Sequence, residues 1–177
     1  MEIEYRAIPE EEIDRDLFAD FIRHQVVDVC LRREGDSWVE RLDPFTDDWG
    51  EEEYRILIQC LRHTAAEGGL VYGAFASGKL KGFVSVEPEI FGGDNRYMDL
   101  SSIHVSEDMR GKGIGKALFF HAKEWAKKQG AGKLYISSHS AIESQRFYEA
   151  MGCIDAALPD KYHAESEPYD RQLECKL

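Results

Sequence analysis

The sequence predicts an α/β fold: a single domain over residues 1–177 with a mixed, mostly antiparallel central sheet flanked by helices. Three observations carry that expectation. Runs of alternating apolar residues are interleaved with runs of helical apolar spacing. The 177 residues suit one sizeable core. A strand-like run, Tyr97 to Val105, leads to a strongly helical run, Ile114 to Gln129, through Arg110-Gly111-Lys112-Gly113-Ile114-Gly115-Lys116. The chain is organised around that last stretch.

Taken in order, Glu2 to Ile8 places Ile3, Tyr5 and Ala7 on one face and reads as a strand ended by Pro9. Glu10, Glu11 and Glu12 suit the positive end of a helix. Ile13, Leu17, Phe18, Phe21 and Ile22, extended by Val26, Val29 and Cys30, give that helix its apolar stripe. Arg32 to Gly50 breaks the pattern, with helix expected only around Ser37 to Leu42. It sets Trp38, Phe45 and Trp49 among Asp36, Glu40, Asp43, Asp47 and Asp48, either as a wall for an amine-bearing substrate or as a connection packed on the core. Glu51 to Glu67 returns to helix through Tyr54, Leu57, Ile58, Leu61 and Ala65, and Gly68-Gly69 stops it.

Leu70 to Ala76 and Leu80 to Glu87 form a hairpin through Ser77-Gly78-Lys79, with Pro88 as terminator. After the turn Phe91 to Asn95, Tyr97 to Val105 completes a three-strand meander. The next helix buries Ile114, Ala117, Leu118, His121, Ala122 and Trp125 and turns Lys116, Lys123, Lys127 and Lys128 outward. Lys133 to Ser137 is a short strand. Ser140-Ala141-Ile142-Glu143 reads as a capping box opening a helix to about Met151, stopped by Gly152. Cys153 to Ala157 begins a strand, Pro159 to Pro168 is a polar connection, and Tyr169 to Leu177 closes the sheet. The expected order is β-α-α-β-β-β-α-β-α-β-β.

The net charge of −12, from 34 acidic and 22 basic residues, makes nucleic acid a poor partner. It suits a cationic substrate, or solubility alone. No apolar run is long enough to span a bilayer, and Met1 to Tyr5 shows no signal-peptide pattern, so no membrane partner is expected. Cys30, Cys60, Cys153 and Cys175 are widely spaced without a Cys-x-x-Cys pair, which fits reduced thiols in a cytoplasmic protein and no bound metal.

Three glycines at alternate positions, followed at once by a helix, form an anion site. The bare backbone presents its N–H groups and the helix its positive dipole end. A nucleotide-hydrolase loop needs Ser or Thr after Gly-Lys to hold magnesium, and Ala117 follows Gly115-Lys116. A dinucleotide loop needs Gly-x-Gly-x-x-Gly, and the spacing is Gly111-x-Gly113-x-Gly115. The text Ile103-His104-Val105, then Met109-Arg110-Gly111-Lys112-Gly113-Ile114-Gly115, resembles the Arg-x-x-Gly-x-Gly pyrophosphate loop of the GNAT N-acetyltransferase superfamily and its flanks. A second motif, Ser144-Gln145-Arg146-Phe147-Tyr148-Glu149-Ala150-Met151-Gly152, resembles that family's Ala-x-x-x-Tyr-x-x-x-Gly segment. The resemblance covers the chain from about Val71 onward.

The resemblance implies a GNAT-like fold in which acyl-CoA slots between the strand before the loop and the strand after its helix. It implies main-chain contacts to pantetheine and carbonyl from Ile103, His104 and Val105. Pyrophosphate falls to Arg110, Gly111, Lys112, Gly113, Ile114 and Gly115, with Lys116 adding charge and Ser144 lying on the second motif. Tyr148 falls on the tyrosine that often protonates the departing thiolate; the alternative for it is packing on the sheet beside Phe147. The frequent asparagine seven residues earlier is replaced by Ala141. For the base, Asp99 and Glu87 sit on strands near the notch, with Glu89 just beyond. His104 reads as structural, and His139 lies in a loop that can approach a substrate. The expected protein is an acetyl-CoA-dependent N-acetyltransferase that moves an acetyl group to a primary amine of a small cationic molecule, by direct attack on the thioester. The alternative is a non-catalytic acyl-CoA-binding module on the same fold. Family habit adds a homodimer as an expectation.

Overall fold

A computed structural model describes residues 2–177. The strands are β1 (Ile3–Ala7), β2 (His24–Glu34), β3 (Ser37–Asp48), β4 (Leu70–Ala76), β5 (Lys79–Phe91), β6 (Tyr97–Val105), β7 (Lys133–Ser138), β8 (Ile154–Asp155) and β9 (Arg171–Lys176). The helices are α1 (Glu51–Ala66), α2 (Ile114–Lys128), α3 (Ile142–Ala150) and α4 (Lys161–Ser166). Seven strands make one sheet in the order β1-β4-β5-β6-β7-β9-β8, and β2-β3 is a separate hairpin. Within the large sheet β6–β7 is the parallel pair; the other neighbours are antiparallel. This is the predicted mixed, mostly antiparallel sheet flanked by helices.

Local chemistry explains most element ends. The Gly50 N–H donates to the Glu53 carboxylate at 2.8 Å, which starts α1. Ser77 and Gly78, both at positive φ (51° and 75°), turn β4 into β5 as a two-residue hairpin. One face of the sheet packs Val84, Val86, Met98, Leu100 and Ile136 against Ile114, Leu118 and Phe119 of α2 and Tyr148 of α3. The other face packs Val71, Phe75, Leu80 and Phe83 against Tyr54 and Leu61 of α1 and against Ile13, Phe18 and Phe21.

The helix expected from Glu10 into Cys30 does not form. Residues 10–12 and 16–18 make two short 3₁₀ turns, and the chain then enters β2. Ile13, Phe18 and Phe21 are buried because they cover Phe83, and their spacing mimics a helical stripe. Val26, Val27 and Val29 are β-branched and suit an extended chain. Residues 37–42, expected as partial helix, are strand β3, joined to β2 by Gly35 (φ 59°) and Asp36. Tertiary contacts hold the hairpin and the segment that leads into it: the Leu31 N–H donates to the Ser140 carbonyl (2.7 Å), and just before β2 the Ile22 N–H donates to Ser106 Oγ (2.9 Å).

Smaller corrections concern the second half. Strand β5 continues through Pro88 to Phe91 with register breaks after Ser85 and Val86, where a residue without an N–H is tolerated. Ser140 does not cap α3. Ala141 precedes the helix without a side-chain cap, and the Ser140 carbonyl is spent on Leu31. The connection 159–168 contains α4, capped by the Asp160 carboxylate accepting from the His163 N–H at 3.1 Å. Strand β8 is only two residues long.

Candidate active site

Strands β6 and β7 pair only from Tyr97–Lys133 to Asp99–Tyr135. Beyond that point they diverge, and the gap opens into a cleft of about 660 Å³. Strand β6 forms one wall from Leu100 to Val105, and Ser137 and His139 stand on the other. The glycine-rich loop and the start of α2 close one end. Ser144, Phe147 and Tyr148 of α3 form a side, and Arg23, Gln25, Asp47 and Trp49 of the hairpin region lie across the mouth.

Gly111 and Gly113 hold φ of 73° and 80°, a region side chains resist, and a Cβ on either would meet no atom within 4 Å. Backbone conformation, not packing, therefore favours glycine there, and the space beside it is open. Gly115 lies inside α2, where its Cβ would sit 3.3 Å from Phe147 and 3.6 Å from Val105. The first backbone bond of α2 runs from the Ala117 N–H to the Gly113 carbonyl, leaving the N–H groups of Ile114, Gly115 and Lys116 without helical partners. These donors, with the exposed Arg110 and Lys116, fit a pyrophosphate. Ile103, His104, Val105, Arg110, Gly111, Gly113, Ile114, Gly115, Lys116 and Ser144 all border the cleft. Lys112 does not: its ammonium turns back to the Asp108 carbonyl (3.1 Å) and the Met109 sulfur (3.3 Å).

Tyr148 is buried to 8% exposure and borders the cleft. Its hydroxyl makes no hydrogen bond to a described residue, and burial pushes its pKa up, so it holds its proton. Phe119 and Phe147 clasp its ring edge-on at 6.4 and 5.2 Å. His104 packs edge-on against Trp49 at 4.7 Å, and burial drives its pKa down to about 3, so it is neutral. His139 Nδ1 accepts from the Ala141 N–H at 3.1 Å, which places the proton of the neutral ring on Nε2. Burial lowers its pKa as well.

Neither carboxylate expected as base borders the cleft directly. Asp99 Oδ2 lies 3.2 Å from His163 Nε2, and its other oxygen is buried without a partner. Glu87 Oε1 accepts from Ser101 Oγ (2.7 Å) and Thr64 Oγ1 (2.8 Å). Ser101 does border the cleft, and Ser85 Oγ lies 2.8 Å from both Ser101 Oγ and Ser102 Oγ. Each hydroxyl has one proton, and that of Ser101 goes to Glu87. Ser85 then donates to Ser101, and Ser102 to Ser85, so the chain runs one way from the cleft to Glu87.

The structure adds residues that the sequence did not single out. Arg23, almost fully buried, donates to Asp47 at 2.5 Å and lies 5.1 Å over the Trp49 ring. Its burial holds the guanidinium pKa down, and Asp47 opposes that. Asp47 and Trp49 belong to the aromatic and acidic stretch noted in the sequence, whereas Trp38 lies instead by Arg171. The Gly35-Asp36 link was the available signal for the hairpin that carries Asp47. Asp170, just before β9, borders the cleft and accepts from Ser137 Oγ at 3.3 Å. Desolvation and the nearby Glu167 raise its pKa to about 6.

A mixed sheet split beside one parallel pair, with a glycine-rich turn and a helix start at the split, defines an α/β class whose sheet carries a notch open to a ligand. The sequence model of the acetyltransferase (GNAT) family matches residues 36–153, and the chain belongs to that family. Streptothricin acetyltransferase of Streptomyces lavendulae is 38% identical over 97 residues, which are 52% of this chain and 50% of that protein. The chain thus spans about half the length of the curated relative it matches. The crystal structure of nourseothricin acetyltransferase superposes with a TM-score of 0.67 at 22% identity, covering 98% of this chain and 96% of that one. A Bacillus anthracis protein assigned as a streptothricin acetyltransferase, crystallised with acetyl coenzyme A, gives 0.72 at 17% identity over 100% and 99% of the two chains. At these identities the two structures speak for the fold.

Proposed function

We propose that residues 1–177 form one acetyl-CoA-dependent N-acetyltransferase domain acting on a primary amine of a small cationic molecule. The observation that carries this reading is the shared cleft: the Gly111–Gly115 cradle and the protonated Tyr148 face the same gap between β6 and β7. The streptothricin and nourseothricin acetyltransferases among the relatives support a small amine as acceptor. Cys30, Cys60, Cys153 and Cys175 are all unpaired, in keeping with a reducing cytoplasmic setting.

Acetyl-CoA, when bound, supplies the activated acetyl group as a thioester. The N–H groups at the start of α2 hold its pyrophosphate, and Arg110 and Lys116 add charge around it. The Ile103 to Val105 edge of β6, unpaired on its β7 side, has backbone groups free for a pantetheine arm. Tyr148 keeps a proton at its hydroxyl for the departing sulfur. Ser102, Ser85 and Ser101 relay the proton of the attacking amine to Glu87, the role Asp99 cannot fill as readily while it is engaged by His163.

A thiol-release assay with acetyl-CoA across a panel of amines tests the reading. Amine-dependent release of CoA, with cationic amines preferred over neutral ones, is expected. Acetyl-CoA binding without turnover on a broad panel would instead support a non-catalytic acyl-CoA-binding module.

A further inference from the structure

The glycine loop and the serine chain line the cleft from the start of α2 and from β6, and Tyr148 reaches it from α3. The β7 side carries a second one-way chain of hydrogen bonds. The Asp160 N–H donates to the Tyr135 hydroxyl (2.8 Å), which donates to Gln172 Oε1. Gln172 Nε2 donates to Ser137 Oγ (2.9 Å), and Ser137 donates to Asp170 Oδ2 (3.3 Å). The chain ends on Asp170 and fixes its carboxylate on the β7 side of the notch.

Three carboxylates border the cleft. Asp47 is taken by Arg23, and Glu143 is exposed on the first turn of α3. Asp170 is half-buried and forms no ion pair with a described residue. Its neighbour Arg171 turns away to Asp155 at 2.6 Å, and His163 is engaged by Asp99. A desolvated carboxylate without a counter-ion is costly, and a cation arriving from the cleft offsets that cost. Ser101 and Ser137 each lie two residues past the last β6–β7 pair, Asp99–Tyr135, on opposite strands. The proton path and Asp170 therefore flank the notch from its two sides. Asp170 also borders a neighbouring groove of about 370 Å³ that contains Trp38 and Asp155, so an elongated ligand has room beyond it.

We propose that Asp170 is a cation subsite for the acceptor: it binds a second ammonium of a diamine or polyamine-like acceptor, separate from the amine that is acetylated. This rests on the acetyltransferase reading for what occupies the cleft. The reacting nitrogen is a poor partner for Asp170, because an ion pair there would favour its protonated, non-nucleophilic form.

The test is binding of spermidine and of propylamine to the full chain in complex with CoA, by calorimetry. Asp170→Asn should weaken spermidine by about tenfold or more, as expected for a lost charge-assisted contact, and leave propylamine and CoA affinities unchanged. Asp170→Glu should restore part of the loss. In a His163→Gln background, which removes the imidazole beside Asp170 and leaves Glu167 as its remaining titrating neighbour, spermidine affinity should fall as pH drops through about 6. It should stay flat once Asp170→Asn is added. Undiminished spermidine affinity in Asp170→Asn would overturn the subsite, as would absence of spermidine binding to the parent. An equal loss for propylamine would also overturn it, pointing to a carboxylate that meets the reacting amine. Spermidine binding without any acetyl transfer would overturn the acetyltransferase reading and leave the subsite standing.

Discussion

Ser101 Oγ donates to Glu87 Oε1 at 2.7 Å, and through this bond a carboxylate outside the cleft is in proton contact with its wall. The bond crosses from β6 to β5, where the register break between Ser85 and Val86 lets Ser101 and Ser102 both reach Ser85. A regular strand would send those two side chains to opposite faces.

Glu87→Gln keeps the shape of this chain and removes its proton acceptor. The turnover number should fall by about 10²-fold, in the range of a lost general base, with acetyl-CoA affinity unchanged. Ser101→Ala should act in the same direction. Steady-state kinetics with direct CoA binding checks both, and a fully active Glu87→Gln enzyme would take Glu87 out of the reaction.

Tyr148→Phe should preserve folding and acetyl-CoA affinity while turnover drops by roughly 10²–10⁴-fold. Tyr148→Ala, which empties a buried ring site, should also cost about 3–5 kcal/mol of stability. Because burial raises the phenol pKa, Tyr148 should give no basic limb in the pH–rate profile below about pH 10. If Tyr148→Phe turns over normally, water is the proton source for the thiolate.

The glycines of the loop should fail in two different ways. Gly113→Val forces a β-branched residue to φ near 80°, costing about 1–3 kcal/mol and re-aiming the N–H groups that follow. Gly115→Val instead brings a Cβ to 3.3 Å from the Phe147 ring and 3.6 Å from Val105, so its methyl groups crowd the cleft wall at the start of α2. Both should weaken acetyl-CoA strongly, and Arg110→Ala less, since the backbone donors remain. Calorimetric acetyl-CoA affinities decide this, and equal affinity in Gly113→Val and the parent would remove the cradle assignment.

Asp170 should be a cost to stability at neutral pH. Its folded pKa of about 6 lies above the ordinary 3.8, so between those values the folded state binds more protons than the unfolded one. Stability contributed by this group therefore declines as pH rises from 3.8 to about 6 and stays lower above. Asp170→Asn should raise stability at pH 7.5 by about 1 kcal/mol after allowance for solvent screening, a few degrees in melting temperature. The gain should vanish below about pH 4, where Asp170 is protonated in both states. Melting curves at the two pH values check the sign.

The sequence by itself determined the order of the elements from α1 to α3, the glycine-rich turn before α2 and the place of Tyr148 on α3, though not the end of β5 or the cap of α3. Their signals are local: the Ser77-Gly78 turn, the helical spacing from Ile114 to Trp125, and glycines whose backbone angles no other residue adopts cheaply. The same local reasoning failed between Glu10 and Asp48. There Ile13, Phe18 and Phe21 copy a helical stripe, and the hairpin and the segment that leads into it are fixed by bonds to Ser140 and Ser106, distant in the chain. Only the tertiary structure brought Arg23 to Asp47, Glu87 to Ser101 and Asp170 to Ser137, pairs that lie 24, 14 and 33 residues apart. The direction a strand side chain faces depends on register and bulges. Whether a carboxylate is paired or left to meet a ligand depends on what other elements bring beside it.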